Sequence, residues 1–211
     1  MKHSVDILTL RSRLEGDIFT SAELNDLLAE YRNKAAKISL LLSRQEIVPL
    51  RRGLYTFHPS LRRGPLSSEA LANRIYGPSY VSEDFALAHY GLIPETPQAV
   101  TSITMKRSRS FTNPCGIFHY RYCQSQAYPL GLCLAGEGEA RHLIAMPLKA
   151  LFDKALYDTR WDGECPEAYL TEDLRIDLDE PSWLDRELLS ELAPFMRGRL
   201  KRLLIFLEGL P

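Results

Sequence analysis

Two short apolar runs flank a basic glycine turn at residues 47–57, directly after a stretch of helical periodicity. The runs are Ile47–Leu50 and Leu54–Phe57, and the turn between them, Arg51–Gly53, reads Arg-Arg-Gly. Apolar runs of this length on either side of a glycine-containing turn are typical of a β-hairpin. The sequence therefore predicts a hairpin here, which limits the N-terminal part of the chain to folds that close on a small sheet.

Three helices are predicted ahead of the hairpin. Val5–Leu14 repeats apolar residues at helical spacing up to a Gly-Asp turn signal. The segment Thr20–Glu23 forms a capping box for a second helix at about residues 21–30, because its Thr and Glu side chains each accept from the other's backbone N–H. Asn33 is a suitable N-cap for a third helix that ends near Arg44. Three helices followed by a basic hairpin is the order of a winged helix-turn-helix domain.

Five cations are concentrated on the third helix and the hairpin turn. Lys34, Lys37 and Arg44 fall within a sector of about 80° on the helix, so they share one outward-facing edge. Arg51 and Arg52 occupy the turn. A helix edge fits the DNA major groove, and guanidinium groups at a hairpin tip reach an adjacent phosphate or the minor groove. These five residues are the predicted DNA-binding residues, and the alternative is that they form an ordinary solvated charged face.

The third helix also has an apolar stripe. Ala35, Ile38 and Leu42 fall on one side at helical spacing, so we expect them to face the core. Leu40 and Leu41 blur this pattern without removing it. The helix is therefore predicted to be packed on one side and exposed, with its cations, on another.

The two parts of the chain differ in the sign of their charge. Residues 1–64 carry 11 Lys and Arg against 7 Asp and Glu, whereas residues 65–211 carry 15 against 20. At the junction, His58–Pro65 combines two prolines, a glycine and two arginines, a composition typical of a domain boundary. We therefore predict a DNA-binding domain at 1–64 and a separate partner-binding domain at 65–211.

The predicted C-terminal domain mixes helices with an antiparallel sheet at about residues 99–146. Ser82 is placed to cap a helix that stops at Gly91, and Pro147 is placed in the first turn of another. From residue 147 onward the pattern is helical. The predicted fold class of the whole chain is α+β. The predicted strands are Val100–Lys106, Gly116–Cys123, Leu130–Ala135 and Ala140–Met146.

The sequence contains no recognisable catalytic constellation. Gly136–Gly138 lacks the Lys-Ser/Thr of a phosphate-binding loop and is better explained as a turn. His89, His119 and His142 are isolated among apolar or aromatic neighbours, where a structural role is commoner than a catalytic one. We therefore expect no enzyme activity and no cofactor.

Four cysteines show no metal-binding spacing. They are separated by 8, 10 and 32 residues, without the paired Cys-x-x-Cys of a zinc site. Free cysteine is among the most buried residue types, so we expect reduced, mostly buried thiols and no metal. The four are Cys115, Cys123, Cys133 and Cys165.

Targeting and membrane-spanning segments are not predicted. No apolar stretch of signal-peptide length follows the basic start of the chain. No segment approaches the roughly 20 apolar residues that are needed to cross a bilayer. We expect a cytoplasmic protein without a membrane partner.

Three segments of the chain form a recognisable combination: Arg52–Tyr55, Tyr80–Pro94, which ends in Tyr-Gly-Leu-Ile-Pro, and Ile144–Asp153. Together they resemble the AbiEi-type antitoxins of bacterial abortive-infection systems, which are type IV toxin–antitoxin systems. The resemblance runs from the N-terminal helices to about Tyr157. It departs at Pro147–Leu151, where this chain reads Pro-Leu-Lys-Ala-Leu and the family usually has Pro-Glu-Lys-Ala-Leu.

The resemblance implies a transcriptional autorepressor whose winged helix binds double-stranded DNA at inverted repeats in its own promoter. It also implies that the C-terminal domain counteracts a nucleotidyltransferase-like toxin, and it leaves direct contact between the two proteins open. Inverted repeats would pair two protomers, so homodimerisation on DNA is expected. The residues that it assigns to the recognition helix and the wing are Lys34, Lys37, Arg44, Arg51 and Arg52.

Two other functions stay open on the sequence alone. A ligand-responsive regulator would use the C-terminal sheet to hold a small molecule and would have no toxin partner. An enzyme whose site forms only in the fold would have a deep pocket with perturbed carboxylates or histidines. We rank the antitoxin first and the enzyme last.

Overall fold

A computed structural model describes residues 6–123, 126–179 and 181–210 of the 211-residue chain. The chain combines helices with antiparallel and mixed sheets, so its fold class is α+β. It divides into two compact units: unit 1 is Met1–Ser67 with Phe111–Gly116, and unit 2 is Ser68–Ser110 with Ile117–Pro211. Val5, the predicted start of the first helix, lies outside the described residues.

Unit 1 combines short helices with a three-stranded antiparallel sheet. Its elements are α1 (Ile7–Arg13), β1 (Ile18–Thr20), α2 (Ser21–Leu27), α3 (Lys34–Ser43), β2 (Ile47–Arg51) and β3 (Leu54–Phe57). The strand order is β1-β3-β2, and β2 with β3 forms the predicted hairpin. β1 has no counterpart in the sequence prediction, since three residues are too few to show an alternating pattern.

Side-chain caps fix the starts of α1, α2 and α3. Asp6 caps α1 and Asn33 caps α3, the latter as predicted. The predicted capping box is confirmed: Thr20 Oγ1 accepts from the Glu23 N–H at 3.2 Å, and the Glu23 carboxylate accepts from the Thr20 N–H at 2.7 Å. α2 ends at Leu27, earlier than its periodicity predicts.

Two arginines hold the predicted boundary segment His58–Pro65 against the rest of unit 1. The buried Asp17 carboxylate accepts from the Arg63 backbone N–H at 2.6 Å and lies 3.1 Å from the Arg63 guanidinium. Arg62 Nε donates to the Phe57 carbonyl at 2.9 Å. Both arginines therefore make internal contacts that anchor the end of this segment.

Unit 2 combines a six-stranded sheet with helices. The strands of this sheet are β4 (Ser79–Val81), β5 (Ala99–Thr104), β6 (Arg109–Asn113), β7 (Gly116–Tyr122), β8 (Leu132–Ala135) and β9 (His142–Ala145). The last three residues of β6 and the first residue of β7 belong to the segment Phe111–Gly116, which is counted with unit 1. The helices of unit 2 are α4 (Ser68–Ile75), α5 (Glu83–His89), α6 (Pro147–Tyr157), α7 (Pro166–Ala168), α8 (Arg186–Leu192) and α9 (Arg199–Glu208). Among the described residues, none of the helices is long and apolar enough to cross a membrane.

The sheet of unit 2 is mixed, which corrects the prediction of an antiparallel sheet. Its strand order is β6-β7-β5-β4-β9-β8. β5 pairs in parallel with β7, and β4 pairs in parallel with β9, whereas β4–β5 and β8–β9 are antiparallel. The parallel pair β5–β7 arises because β7 inserts between β5 and β6. An alternating strand pattern carries no information about the direction of pairing, and β6 is too polar to be predicted from apolar periodicity.

α6 carries the predicted apolar stripe into the core. It begins at Pro147, as predicted, and Leu156 is the member of the stripe that stays partly outside, with 38% of its surface exposed. The same helix also carries Lys149 and Asp153 into the core, where both are buried. The buried members of the stripe are Leu148, Leu151, Phe152 and Ala155.

Candidate nucleic-acid interface

The solvent-facing side of α3 is lined mainly by small side chains. Leu41 is fully buried in the core of unit 1, and Ile38 and Leu42 pack against the same cluster. The other side of the helix is therefore left to solvent. Its exposed residues include Ala36, Ser39, Leu40 and Ser43.

Ala35 is exposed, which corrects the prediction that it faces the core with Ile38 and Leu42. The helix is rotated so that Leu41 takes the central buried position. Burying a leucine removes much more apolar surface from water than burying an alanine, so the larger side chain sets the rotation.

The predicted cations of α3 lie along one edge of this exposed side. Lys34 and Lys37 are half-buried, and Lys37 Nζ lies 5.5 Å from the centre of the Tyr31 ring, a cation–π arrangement. Arg44 follows the last helical residue as the C-cap and is exposed. The three cations therefore border the small-residue side and do not cover it.

The hairpin presents its two arginines on a tight turn. Arg51 pairs with Leu54 across the strands, and both Arg51 and Arg52 are exposed. Gly53 has φ +78°, a conformation that a side chain would strain. Its carbonyl accepts from the Ser21 N–H at 2.9 Å, which ties the turn to the start of α2. The arginines are thus carried on a fixed turn and not on a mobile loop.

The chemistry of this arrangement is compatible with contact to a nucleic-acid duplex. Small side chains let a helix approach base edges closely, serine can donate to or accept from a base, and alanine can contact a thymine methyl group. Cations along one edge of this side suit the phosphates on one side of a groove. The sequence prediction named the cations as DNA-binding residues, and it did not name the exposed residues Ala36, Ser39 and Ser43. Their spacing of three and four residues, opposite Leu41, is the signal that could have revealed them.

A buried charge network joins β4 to α6 in unit 2. Asp153 Oδ1 accepts from Lys149 Nζ at 2.7 Å, and Asp153 Oδ2 accepts from the Tyr80 hydroxyl at 3.0 Å and the Ser82 hydroxyl at 2.8 Å. Burial, together with the Asp153 charge, raises the pKa of Tyr80 far above its ordinary value. Because its hydroxyl is used in this network, Ser82 makes no side-chain cap on α5, contrary to the prediction.

Glu83, the first residue of α5, is buried in a strained backbone conformation with φ +54°. One of its carboxylate oxygens lies 2.8 Å from Arg121 Nε. The Arg121 guanidinium in turn lies 5.1 Å from the centre of the Tyr157 ring. Burial raises the pKa of Glu83 to about 8, although the adjacent Arg121 guanidinium lowers it.

Grooves on unit 2 are lined by polar and aromatic residues. One groove of about 550 Å³ contains Tyr90, Arg175 and Trp183 in its lining. Another of about 640 Å³ contains Arg109 and Arg121. A carboxyl with a raised pKa beside such a groove is a feature that an enzyme would also need. In the lining of the second groove, Ser110 Oγ lies 2.8 Å from His119 Nδ1.

The Tyr-Gly-Leu-Ile-Pro segment ends α5. Tyr90 is the C-cap, Gly91 has φ +70°, and the Leu92 N–H donates to the Leu87 carbonyl at 2.9 Å. Ile93 is buried. The segment therefore acts as a helix stop that packs into unit 2.

The histidines and cysteines depart from their predicted settings. His89 and His142 are not isolated, because their ring centres lie 6.3 Å apart. Of the four cysteines, Cys123 is buried and Cys165 is exposed, so the prediction of mostly buried thiols is wrong. The other two are intermediate, and all four are free thiols. Apolar periodicity carries no information on where these residues meet.

The chain has no match among protein-family models or characterised proteins. Its likeness to the AbiEi-type antitoxins therefore rests on its three sequence segments. Two of these, Tyr80–Pro94 and Ile144–Asp153, are joined in unit 2 by the hydrogen bonds to Asp153. The third, Arg52–Tyr55, lies at the hairpin turn of unit 1.

Glu83 makes the stability of the protein depend on pH. Its pKa is about 8 in the folded chain against an ordinary value of 4.5, so between these pH values the folded state holds a proton that the unfolded state has released. The free energy of unfolding should therefore fall as pH rises from about 4.5 through about 8, by an amount on the order of a few kcal/mol. We expect Glu83→Gln to lack this fall in urea unfolding at about pH 5, 7 and 9.

The matched control is Glu137→Gln, because Glu137 is exposed. It should keep the pH dependence of the wild type. Glu83→Gln also removes the partner of Arg121, so the comparison uses the slope of stability against pH and not its absolute value. Parallel slopes for the wild type and Glu83→Gln would contradict the argument.

Proposed function

We propose that this protein is a DNA-binding transcriptional regulator that contacts duplex DNA through a winged helix-turn-helix domain in unit 1. The observation that carries the proposal is the exposed small-residue side of α3, bordered by cations and accompanied by two arginines on a fixed hairpin turn. On this proposal α3 enters the major groove. Arg51 and Arg52 contact phosphate or the minor groove beside it.

The order of elements supports the winged-helix assignment. A helix, a short strand, two helices and a hairpin follow one another, and the first strand joins the hairpin in the sheet order β1-β3-β2. Such a sheet holds the hairpin turn at the start of α2. Helix and hairpin can then act together on one duplex.

We further propose that the protein is the antitoxin and autorepressor of a toxin–antitoxin operon, acting against a nucleotidyltransferase-like toxin through unit 2. This part rests on the resemblance to the AbiEi-type antitoxins. Asp153 accepts hydrogen bonds from Tyr80, Ser82 and Lys149. These bonds are a physical reason for the matching segments to occur in the same chain. Homodimerisation on inverted repeats belongs to the same proposal.

The second candidate is a ligand-responsive regulator without a toxin partner. It is favoured by the grooves on unit 2, since volumes of about 550 and 640 Å³ lie in the range of small-molecule sites. Both candidates share the DNA-binding unit. They differ in what unit 2 recognises.

The DNA-binding proposal predicts a salt-dependent interaction that weakens when the hairpin arginines are replaced. Arg51→Gln with Arg52→Gln should cost on the order of 1 kcal/mol for each residue, by a similar factor for specific and scrambled duplexes, because phosphate contacts carry no sequence information. The slope of log K against log salt should fall by about 2. Fluorescence anisotropy with a labelled duplex from the region upstream of the gene measures both quantities.

The control is Arg197→Gln with Lys201→Gln, which removes two exposed cations from unit 2 and makes the same change in net charge. It should leave the affinity and the salt slope close to those of the wild type. If the wild-type chain showed no salt-dependent binding to any duplex, the DNA-binding proposal would be abandoned.

The antitoxin proposal predicts that a gene adjacent to this one encodes a toxin. Expression of that gene alone should stop growth of a bacterial host, and co-expression of this chain should restore it. The Arg51→Gln, Arg52→Gln variant should restore growth as well, since unit 2 is unchanged. If no neighbouring gene is toxic, the antitoxin part fails and the ligand-responsive regulator is favoured.

A further inference from the structure

The groove beside β6 and β7 has a cationic lining. Its volume is about 640 Å³, and the residues that line it carry guanidinium, imidazole or hydroxyl groups, without a carboxylate among them. The main contributors are Arg109, Arg121, His119, Ser108, Ser110 and Tyr157. A concave site of this size and charge is complementary to a compact anion.

Arg121 is held in place by two neighbours. Its Nε lies 2.8 Å from the Glu83 carboxylate, and its guanidinium lies 5.1 Å from the centre of the Tyr157 ring. The Tyr157 hydroxyl donates to the Tyr122 carbonyl at 2.6 Å, which fixes the ring. Even so, 44% of the Arg121 side chain is exposed, so the guanidinium is both positioned and accessible.

Ser110 on the neighbouring strand β6 positions the His119 ring. Its Nδ1 lies 2.8 Å from Ser110 Oγ, a hydrogen bond between β7 and β6. His119 and Arg121 are two residues apart on β7, so their side chains stand on the same face of the sheet. A cation and an imidazole are thus fixed side by side on the floor of the groove before any ligand arrives. This lowers the entropic cost of binding.

We propose that this groove binds the phosphate group of a small phosphorylated molecule. A guanidinium matches a phosphate in a bidentate way, and the serine hydroxyls and imidazole supply further donors. A nucleic-acid strand is the less suitable ligand, since such strands need a row of free aromatic stacking surfaces, and here the Tyr157 ring is already faced by Arg121. The inference does not depend on the DNA-binding proposal.

The test is isothermal titration calorimetry of the full chain with inorganic pyrophosphate and with AMP, using adenosine as the control that lacks phosphate. Pyrophosphate and AMP should bind, and adenosine should not. Arg109→Gln should weaken binding by about tenfold or more, as expected for the loss of a charged hydrogen bond. The control is Arg107→Gln, because Arg107 is an exposed arginine two residues before Arg109 that does not line the groove. This variant should stay within about twofold of the wild type.

Arg121 needs a compensated variant, because replacing it alone leaves Glu83 buried without its partner. Glu83→Gln with Arg121→Gln replaces both members of the pair, and circular dichroism checks that the variant folds. If it folds, we expect it to lose pyrophosphate binding. If it does not fold, the comparison of Arg109→Gln with Arg107→Gln decides whether the groove binds phosphate.

Several results would overturn the proposal. Equal weakening by Arg107→Gln and Arg109→Gln would mean that net charge, and not the groove, attracts the anion. Equal binding of adenosine and AMP would exclude phosphate recognition. Absence of binding at millimolar pyrophosphate and AMP would also exclude phosphate recognition by this groove. Binding of a short single-stranded RNA, without binding of pyrophosphate or AMP, would mean that the ligand is a nucleic-acid strand and not a small molecule.

Discussion

Burial of Leu41 fixes the rotation of α3 and therefore decides which side chains unit 1 presents to solvent. A fully buried leucine contributes about 2 kcal/mol relative to an exposed one, and Leu41 lies in a cluster that includes Leu10, Leu24 and Phe57. With that side packed, Ala36, Ser39 and Ser43 face outward and the half-buried lysines lie along one edge of the exposed side. The proposed DNA-binding surface is thus a consequence of core packing. Its cations alone would not specify it.

Unit 2 depends on a different kind of interaction. The Lys149–Asp153 ion pair is buried, and a buried pair is weak support for stability because both charges lose their hydration. The clearer consequence of the network is that it aligns α6 with β4. Asp153 can accept from the Tyr80 and Ser82 hydroxyls only when the helix is correctly positioned along the strand. The same helix ends at Tyr157 beside Arg121. The network that aligns α6 therefore also sets one wall of the cationic groove.

Local features of the fold were predictable from the sequence, and pairings between distant segments were not. The Thr20–Glu23 capping box, the Asn33 cap and the hairpin turn follow from neighbouring residues, whose chemistry determines their backbone. The parallel pairing of β5 with β7 depends on where β7 inserts, which no local pattern encodes. The pairing of Glu83 with Arg121 joins residues 38 positions apart in the same way. For α3, the periodicity identified the helix, but the choice between Ala35 and Leu41 as the buried residue required the packed core.

The most direct test of the central claim is an NMR titration of the full chain with a duplex from the region upstream of the gene, recording backbone amide shifts. If α3 reads the duplex with its small-residue side and the hairpin accompanies it, the largest changes will occur at Ala36, Ser39, Ser43 and Gly53. Changes confined to unit 2, with α3 and the hairpin unaffected, would contradict the account.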